Sequence, residues 1–441
     1  MGAPLTARIL EEYTSAARAL PAADAAAARR RAAIERLRTT GLPTSRDENW
    51  KYANLRPLER QRFVPAAGQP ARAPADLPAA LDGFTRYVFV DGAFAAASAS
   101  APPDTRAAAV TLLAAGSAAA EAAAAAAGQL VAAAAPSFAG DERFALLNAA
   151  FATDGAAIRV AGGERARIEL LFVASADAGS GASYPRVEVR LDAGAQLVLI
   201  ERHVSGAAHG NFVSSAVTVE IDRGASLAHY RLQELNPRSV LFDTLSANLA
   251  QEAAYRLHAI STGAQSARST LALRIAGERA DLALALAALG ERQQVQDAYA
   301  VVEHAAPNAR TVQTFRGIAA GRSRVAFNGK IVVAKNARGT DSRQSLRGLL
   351  AGPEAEIDVR PQLEIYTDEV RCSHGATAGK LDENMLFYLL SRGLSREAAQ
   401  RLLKWAFLED VIAQIALPPL RRQIEERLAG QLHDDALREL L

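Results

Sequence analysis

The sequence predicts a mainly β protein, with a β-helical (solenoid) core between two α-helical regions. Three observations support this prediction: short alternating segments between Ile158 and Val370, a repeat at an offset of 30 residues within them, and helical periodicity on both sides. Stacked rungs that bury one continuous core accommodate such repeats, which favours a solenoid. A β-sandwich is the alternative, because short strands at this spacing suit that fold too.

The composition is that of a globular protein with balanced charge. The 441 residues include 50 basic and 48 acidic side chains, a net charge of +2, which gives no support to nucleic acid or an anionic membrane as the main partner. The single cysteine, Cys372, excludes an intrachain disulfide and a metal site built from several cysteines of one chain. We therefore expect a reducing, cytoplasmic setting. The amino terminus carries Glu11 and Glu12 and does not resemble a secretory signal.

The first region, residues 1–152, is predicted to be helical and alanine-rich. Its clearest element is ARRRAAIERLR at 28–38, a basic amphipathic helix that we expect to end near Gly41. A loop at 43–58 follows, and a proline-rich stretch at 65–78 is interpreted as a linker.

The segment Ala107–Ala135 contains a single charged residue, Glu121, and therefore needs to be weighed as a membrane span. Most of its residues are alanine, which favours a helix but contributes little free energy of transfer into lipid. We therefore predict surface or packing helices here.

The second region, residues 153–378, changes to the alternating pattern of β-strands. VEVRLDAGAQL at 187–197 and VTVEIDRGASL at 217–227 repeat one another. Each copy is interpreted as a strand with apolar residues on one face, an Asp-x-Gly turn and the start of another strand. Similar segments at 270–286 and 325–340 extend the pattern, so a dozen or more short strands are expected.

The third region, residues 379–441, is predicted to be a small helical module. Ser395 is the expected N-cap of a helix that Pro418 and Pro419 end, before a second helix begins. Both helices carry an apolar residue every fourth position, and we expect the first stripe to pack on the end of the solenoid. The two stripes are Leu403, Phe407, Val411 and Ile415, and Leu420, Ile424, Leu428 and Leu432.

Searches for familiar catalytic motifs find none in the sequence. It contains no G-x-x-x-x-G-K-[ST] phosphate loop, no G-x-G-x-x-G after a strand, no H-E-x-x-H and no G-x-S-x-G. Glu364 and Asp368 are interpreted as solvated strand ends rather than an acid–base pair. Five histidines of the strand region are expected to be ordinary surface or hydrogen-bonded residues: His203, His209, His229, His258 and His304.

Cys372 and His374 form the strongest chemical candidate in the sequence. Positions i and i+2 of a strand point to the same side, so the thiol and the imidazole are expected to face together. Two ligands do not complete a tetrahedral metal site. The pair is therefore half of a site that another chain completes, a nucleophile with its base, or a packing feature.

Four segments of the chain resemble the SufB/SufD family of the SUF iron–sulfur cluster assembly system, and in particular its SufD members. The densest match is CSHGATAGKLDENMLFYLLSRGLSREAAQRLLKWAFLEDVI at 372–412. Further matches are RDENWKYANLRPL at 46–58, FALLNAAFATDGAAIRV at 144–160, and the segment 327–377.

The resemblance implies a right-handed parallel β-helix core and a non-catalytic scaffold role. It implies pairing with SufB through the β-helix, binding of the SufC ATPase through the terminal helices, and a possible homodimer when SufB is absent. A transient iron–sulfur cluster would be shared with SufB, and reduced flavin (FAD) is associated with the family at the level of the complex.

The resemblance also assigns candidate residues. His374 matches the proposed cluster-site histidine of SufD, and Cys372 matches the adjacent family cysteine. SufB carries a cysteine at the position of Ser345 and a glutamate at that of Gly375, which favours the SufD side of the family. The residues expected to dock SufC are Trp405, Phe407 and Glu409.

A β-helical enzyme acting on carbohydrate is the alternative from another functional class. It predicts a groove lined with carboxylates and basic residues. The strands are instead rich in alanine, valine and leucine, so we expect the scaffold role.

Overall fold

The computed structural model describes residues 2–20, 24–66, 77–99, 108–112, 141–176 and 179–432. These residues form a flattened parallel β-solenoid of about eight turns, with helices at both ends of the chain. No helix in the described ranges combines the length and the apolar character needed to cross a membrane.

The amino-terminal helices begin and end close to where the sequence predicts. Helix α2 contains the basic segment 28–38 and is followed by Gly41, whose positive φ of 68° is the left-handed conformation that glycine adopts readily at a helix end. The helical elements of this region are α1 (Gly2–Ala16), α2 (Asp24–Thr40), the 3₁₀ helices Glu48–Trp50 and Arg56–Arg60, and α3 (Arg143–Phe151).

The prediction that the whole first region is helical is wrong for three segments. These are the strands β1 (Thr85–Val90), β2 (Ala93–Ala99) and β3 (Ala108–Leu112). For β2 and β3 the physical reason is tertiary, because pairing with a neighbouring strand outweighs the helix propensity of alanine. For β1 it is local, because TRYVFV consists mainly of β-branched and aromatic residues. Strand β3 therefore corrects part of the predicted helix at Ala107–Ala135, and residues 113–135 of it lie outside the described residues. The linker prediction falls largely outside them too, at 67–76.

Sixteen parallel strands form the solenoid, two per turn. They are β4 (Ala156–Val160), β5 (Arg165–Ala174), β6 (Arg186–Leu191), β7 (Gln196–Ser205), β8 (Phe212–Ile221), β9 (Ser226–Glu234), β10 (Val240–Leu249), β11 (Ala254–Ser261), β12 (Ser266–Ile275), β13 (Asp281–Gly290), β14 (Val295–His304), β15 (Arg310–Ala319), β16 (Arg324–Val333), β17 (Thr340–Leu350), β18 (Glu356–Ile365) and β19 (Val370–Gly379).

Alternate strands belong to opposite sheets. Sheet I has the order β19-β17-β15-β13-β11-β9-β7-β5-β1-β2, and sheet II has the order β18-β16-β14-β12-β10-β8-β6-β4-β3. Every neighbour from β4 to β19 is parallel, which confirms the solenoid and excludes the sandwich. The 30-residue repeat is one turn of this solenoid: Val187 pairs with Val217, and Leu191 with Ile221.

Apolar side chains fill the space between the sheets, and helices cover the two outer faces. The amino-terminal helices pack on sheet II around Phe212, Val240 and Phe242. The carboxy-terminal helices α4 (Glu383–Ser391), α5 (Arg396–Ile412) and α6 (Pro418–Gln431) follow the last strand. Helices α5 and α6 pack on the outer face of sheet I.

The carboxy-terminal helices confirm the predicted caps. The Ser395 hydroxyl accepts a hydrogen bond from the Ala398 backbone N–H at 3.2 Å, and α6 begins at Pro418. The apolar stripe of α5 packs against the side of sheet I, with Val411 and Ile412 buried. The expectation that it covers the end of the solenoid is therefore wrong, and the last turn keeps its end face open.

Candidate functional site at the open end of the solenoid

Strands β18 and β19 form the last turn of the solenoid and the outermost strand of each sheet. Each pairs on one side only, with β16 or β17, and no described residue pairs with the other side. The apolar side chains Ile357, Val359 and Leu363 contact the interior core but remain partly exposed. The last turn therefore presents an open hydrophobic core flanked by unpaired backbone groups.

Cys372 and His374 lie together on β19, on the face directed into the solenoid. Cys372 is half-buried and packs against the interior core. Because strand residues alternate between faces, His374 shares the face of Cys372, and it is exposed since no further turn covers it. The structure thus brings the two candidates to one place, at the mouth of the interior.

The residues beneath this pair are buried and polar. Ser342 of β17 pairs in register with Cys372, and Gln344 pairs with His374. The Gln344 amide donates to Gln313 Oε1 at 2.5 Å and to the Gly329 carbonyl at 3.0 Å. The interior positions of sheet I next to the pair are therefore polar, whereas the interior side chains of β18 are apolar.

Burial raises the pKa of the Cys372 thiol above its ordinary value. A hydrogen bond from the Ser342 backbone opposes this shift, and the negative charge of Asp341 adds to it. The free chain therefore holds Cys372 as the thiol at neutral pH, and a metal ion would have to displace that proton in order to bind the sulfur.

Ser345 and Gly375, at which the resemblance implies other residues in SufB, lie on the opposite face of sheet I. Ser345 pairs in register with Gly375, directed towards the helices rather than the interior. The Ser345 carbonyl and hydroxyl accept hydrogen bonds from Arg316, at 3.0 and 3.3 Å, and Arg316 is paired with Asp410 of α5 at 3.0 Å. The sheet thus separates this pair from Cys372 and His374.

A second polar cluster, which sequence reasoning missed, is buried in the interior at strands β7, β9 and β10. Arg231 donates to Glu201 Oε1 and to Asp243 Oδ2, both at 2.7 Å. Two histidines flank Glu201, with His203 Nε2 at 2.8 Å from Oε1 and His229 Nε2 at 3.3 Å from Oε2. Their interpretation as surface or hydrogen-bonded residues is confirmed for these two histidines, but the ionic group around them was not predicted. The same interpretation is wrong for His258, which is buried with neither ring nitrogen hydrogen-bonded to a described residue.

The charges of this closed cluster stabilise one another. Burial raises the pKa of Glu201, but Arg231 and the two histidines outweigh it and hold that pKa well below its ordinary value. Burial likewise lowers the pKa of His229, so His229 stays neutral at pH 7. The repeat held a signal for this cluster, because Glu201 and Arg231 are opposite charges 30 residues apart at interior positions.

Among the described residues, no group of three or more His, Cys, Asp or Glu side chains is placed to hold a metal ion.

The sequence is similar to that of a known protein family. The family described as SUF system FeS cluster assembly, SufBD core domain, matches residues 172–407, more than half of the chain. The chain belongs to the SufBD family.

Individual SufBD relatives extend this likeness beyond the core domain. The chain is 29% identical over 403 residues to the iron-sulfur cluster assembly protein SufD of Escherichia coli (strain K12), covering 90% of this chain and 91% of that protein. It is 28% identical over 417 residues to a SufBD family protein of Synechocystis sp., covering 90% and 89%. It is 29% identical over 252 residues to the chloroplastic protein ABCI7 of Arabidopsis thaliana, covering 57% and 53%. The resemblance to SufD is confirmed, and with it a role in SUF-system iron–sulfur cluster assembly.

The residues expected to dock an ATPase are not the most exposed part of the SufBD carboxy-terminal helices. Trp405 and Phe407 are half-buried and pack against sheet I. Glu409 is engaged by Arg421 of α6. The exposed apolar side chains belong mainly to α4, where Phe387 is 73% exposed. The others at this end of the chain are Met385, Tyr388 and Leu402.

Proposed function

We propose that this SufBD chain is a non-catalytic scaffold subunit that pairs with SufB through its open last turn. The observation that carries the proposal is that Cys372 and His374 face the interior on β19, the last strand of the solenoid. A cluster assembled there would have this chain on one side and SufB on the other.

The open end has the properties of an interface between two solenoids. Unpaired strand edges are templates for strand addition, and exposed solenoid ends are normally capped. At the opposite end, β2 runs antiparallel to β1 and β3 runs antiparallel to β4, so the parallel stacking stops there. At the carboxy-terminal end, β18 and β19 continue the parallel register to the last residue pair, and a partner strand can extend it.

The chemistry of the two side chains suits a cluster that is cargo rather than a resident cofactor. Thiolate and imidazole both bind iron in proteins, and cysteine and histidine together ligate some iron–sulfur clusters. This chain supplies two groups at most, so SufB would supply the rest. Such a site holds a cluster that can be passed on.

The test is cluster assembly by the co-expressed complex under anaerobic conditions. We expect His374→Ala to lower the yield of cluster, read from the absorption spectrum, at unchanged subunit stoichiometry. Ser373→Ala is the matched control, because Ser373 is the exposed neighbour on the other face of β19. Full yield with His374→Ala would remove the assigned site, and loss of SufB from the Ser373→Ala complex would show that the strand itself had been damaged.

We propose that the carboxy-terminal helices bind SufC. Two surfaces are candidates for the contact, one on α4 and one on α5. The exposed face of α4 favours Phe387→Glu as the disruptive change, whereas the sequence-based candidates Trp405, Phe407 and Glu409 place the contact on α5. Ala406→Glu tests α5, because Ala406 is exposed between two of those candidates. We expect Phe387→Glu to abolish co-purification of SufC and Ala406→Glu to retain it. The reverse result would return the contact to α5.

The remaining features of the complex are proposed on narrower grounds. The free thiol of the single cysteine favours the reducing cytoplasm as the compartment. The same open end would also pair two copies of this chain when SufB is absent, which the mass of the purified chain would reveal. The association with reduced flavin stays a prediction.

A further inference from the structure

A column of glutamines leads through the interior to His374. Gln313, Gln344 and His374 occupy the same position in the successive strands β15, β17 and β19 of sheet I. Gln344 is only 4% exposed and Gln313 is fully buried. Adjacent strands lie about 4.8 Å apart, so each side chain in the column can reach the next.

One atom of the Gln344 side-chain amide has no hydrogen-bond partner, and the neighbouring groups show that this atom is the oxygen. Both N–H groups of the amide are used, towards Gln313 Oε1 and the Gly329 carbonyl. The carbonyl of Gly329 accepts hydrogen bonds and does not donate them, so the amide cannot be reversed without placing two oxygens against each other. The atom left over is Oε1, which is buried and without a hydrogen-bond partner among the described residues.

The fold makes space for this arrangement at Gly329 of the opposite sheet. A Cβ at that position would lie 2.5 Å from Gln313 Oε1 and 3.0 Å from Gln344 Nε2. Glycine therefore allows the two glutamine amides to stack in the interior. The same pattern occurs two residues earlier, where the Ser342 hydroxyl is buried without a partner and its residue pairs with Cys372.

A buried acceptor beneath an imidazole matters for metal binding. A neutral histidine carries one N–H, and a hydrogen bond at that nitrogen decides which ring nitrogen remains free as a ligand. Gln344 Oε1 is an acceptor, and His374 is the next side chain in the column. His374 is exposed and pairs in register with Gln344, so a rotation about its side-chain torsions would bring a ring N–H towards Oε1.

We propose that Gln344 is the positioning residue for His374: its Oε1 accepts the imidazole N–H and directs the other ring nitrogen towards the shared site. This inference rests on the proposed function for the role of His374 as a ligand. The hydrogen bond itself requires neither a partner nor a cluster, so it can be tested in the free chain.

The first measurement uses the metal-free chain labelled with 15N-histidine, with His374 assigned by comparison with His374→Ala. We expect a single imidazole tautomer at His374 in the unaltered chain, and a mixture of both in Gln344→Met, which keeps the shape but lacks the acceptor. Gln313→Met is the matched control: it removes a buried glutamine from the same column but leaves Gln344 bound to Gly329. Equal tautomer populations in all three chains would overturn the inference.

The second measurement is the affinity of the anaerobic complex with SufB for Fe(II) alone. Loss of an outer hydrogen bond to a metal-binding histidine typically weakens binding 10- to 100-fold, and we expect a loss of about this size in Gln344→Met and little change in Gln313→Met. Equal losses in both variants would indicate a packing effect and overturn the inference. Normal cluster yield with His374→Ala would instead overturn the proposed function, whatever the tautomer of His374.

Discussion

Two polar regions occupy the same solenoid interior and differ in how their hydrogen bonds are completed. In the closed cluster, Arg231 satisfies both Glu201 and Asp243 within a single chain. At the open end, Gln344 and Ser342 each keep an unpartnered atom directly beneath His374 or Cys372. In one region the buried charges are therefore paired within the chain, and in the other buried acceptor groups lie next to two side chains at the open end.

The difference separates stability from function. Removing one partner of a buried ion pair leaves an uncompensated charge, so the closed cluster should govern folding. The strands of the open end pair on one side only and carry exposed side chains, so we expect exposed residues there to be changed with little effect on folding.

The largest expected effect is that of Arg231→Met. The change leaves the carboxylates of Glu201 and Asp243 buried without their cation, which should lower the free energy of unfolding by about 3–5 kcal/mol. Denaturant unfolding of the purified chain measures this. Arg279→Met is the control, because Arg279 forms exposed pairs with Glu252 and Glu278, and solvent-exposed ion pairs contribute much less to stability than buried ones. Equal losses for the two variants would remove the distinction between buried and surface pairs.

A second effect concerns pH and the histidine between the two regions. His304 is buried in the interior, where its Nε2 lies 2.8 Å from the Thr311 hydroxyl, and burial lowers its pKa from 6.5 to about 4. Between these two pKa values His304 binds a proton in the unfolded chain but not in the folded chain. The free energy of unfolding therefore decreases as the pH falls from about 6.5 towards about 4.

His304→Gln should remove this contribution. We expect the dependence of the unfolding free energy on pH to become shallower by up to ~1.4 kcal/mol per pH unit across that window. Thr311→Val keeps His304 while removing its hydrogen-bond partner, so it should retain the steeper dependence. If the unfolding free energy of His304→Gln and of the unaltered chain depended on pH in the same way, folding would not lower the pKa of His304.

Much of the fold could be predicted because the offset of the sequence repeat gives the register in which neighbouring strands pair. The offset that matches Val187 with Val217 is the strand pairing itself, and the proline and N-cap signals located the carboxy-terminal helices. The strands β2 and β3 could not be predicted, since alanine-rich segments have little intrinsic strand preference, and they are strands because they pair with neighbouring strands. Strand β1 could have been predicted, because its residues TRYVFV are mostly β-branched or aromatic.

The candidate site could be predicted in part, for a related reason. Alternation along a strand placed Cys372 and His374 on one face, but only the packing of Cys372 shows that this face is the interior. An amphipathic stripe identified α5 as a packing helix, yet the sequence does not say which apolar residues remain uncovered. Trp405 and Phe407 proved to be half-buried, whereas Phe387 of α4 is exposed.

The smallest expected effect on stability is that of Gly375→Ala, which we compare with Gly348→Ala on the neighbouring strand. A Cβ at Gly348 of β17 would overlap the side chain of Ile357, so Gly348→Ala should cost about 1–3 kcal/mol of unfolding free energy through overpacking. A Cβ at Gly375 of β19 would meet no atom within 4 Å, so Gly375→Ala should change stability by less than about 0.5 kcal/mol. Thermal unfolding of the two variants measures the contrast. A loss at Gly375 as large as that at Gly348 would mean that another part of the free chain covers the outer face of β19 at this position.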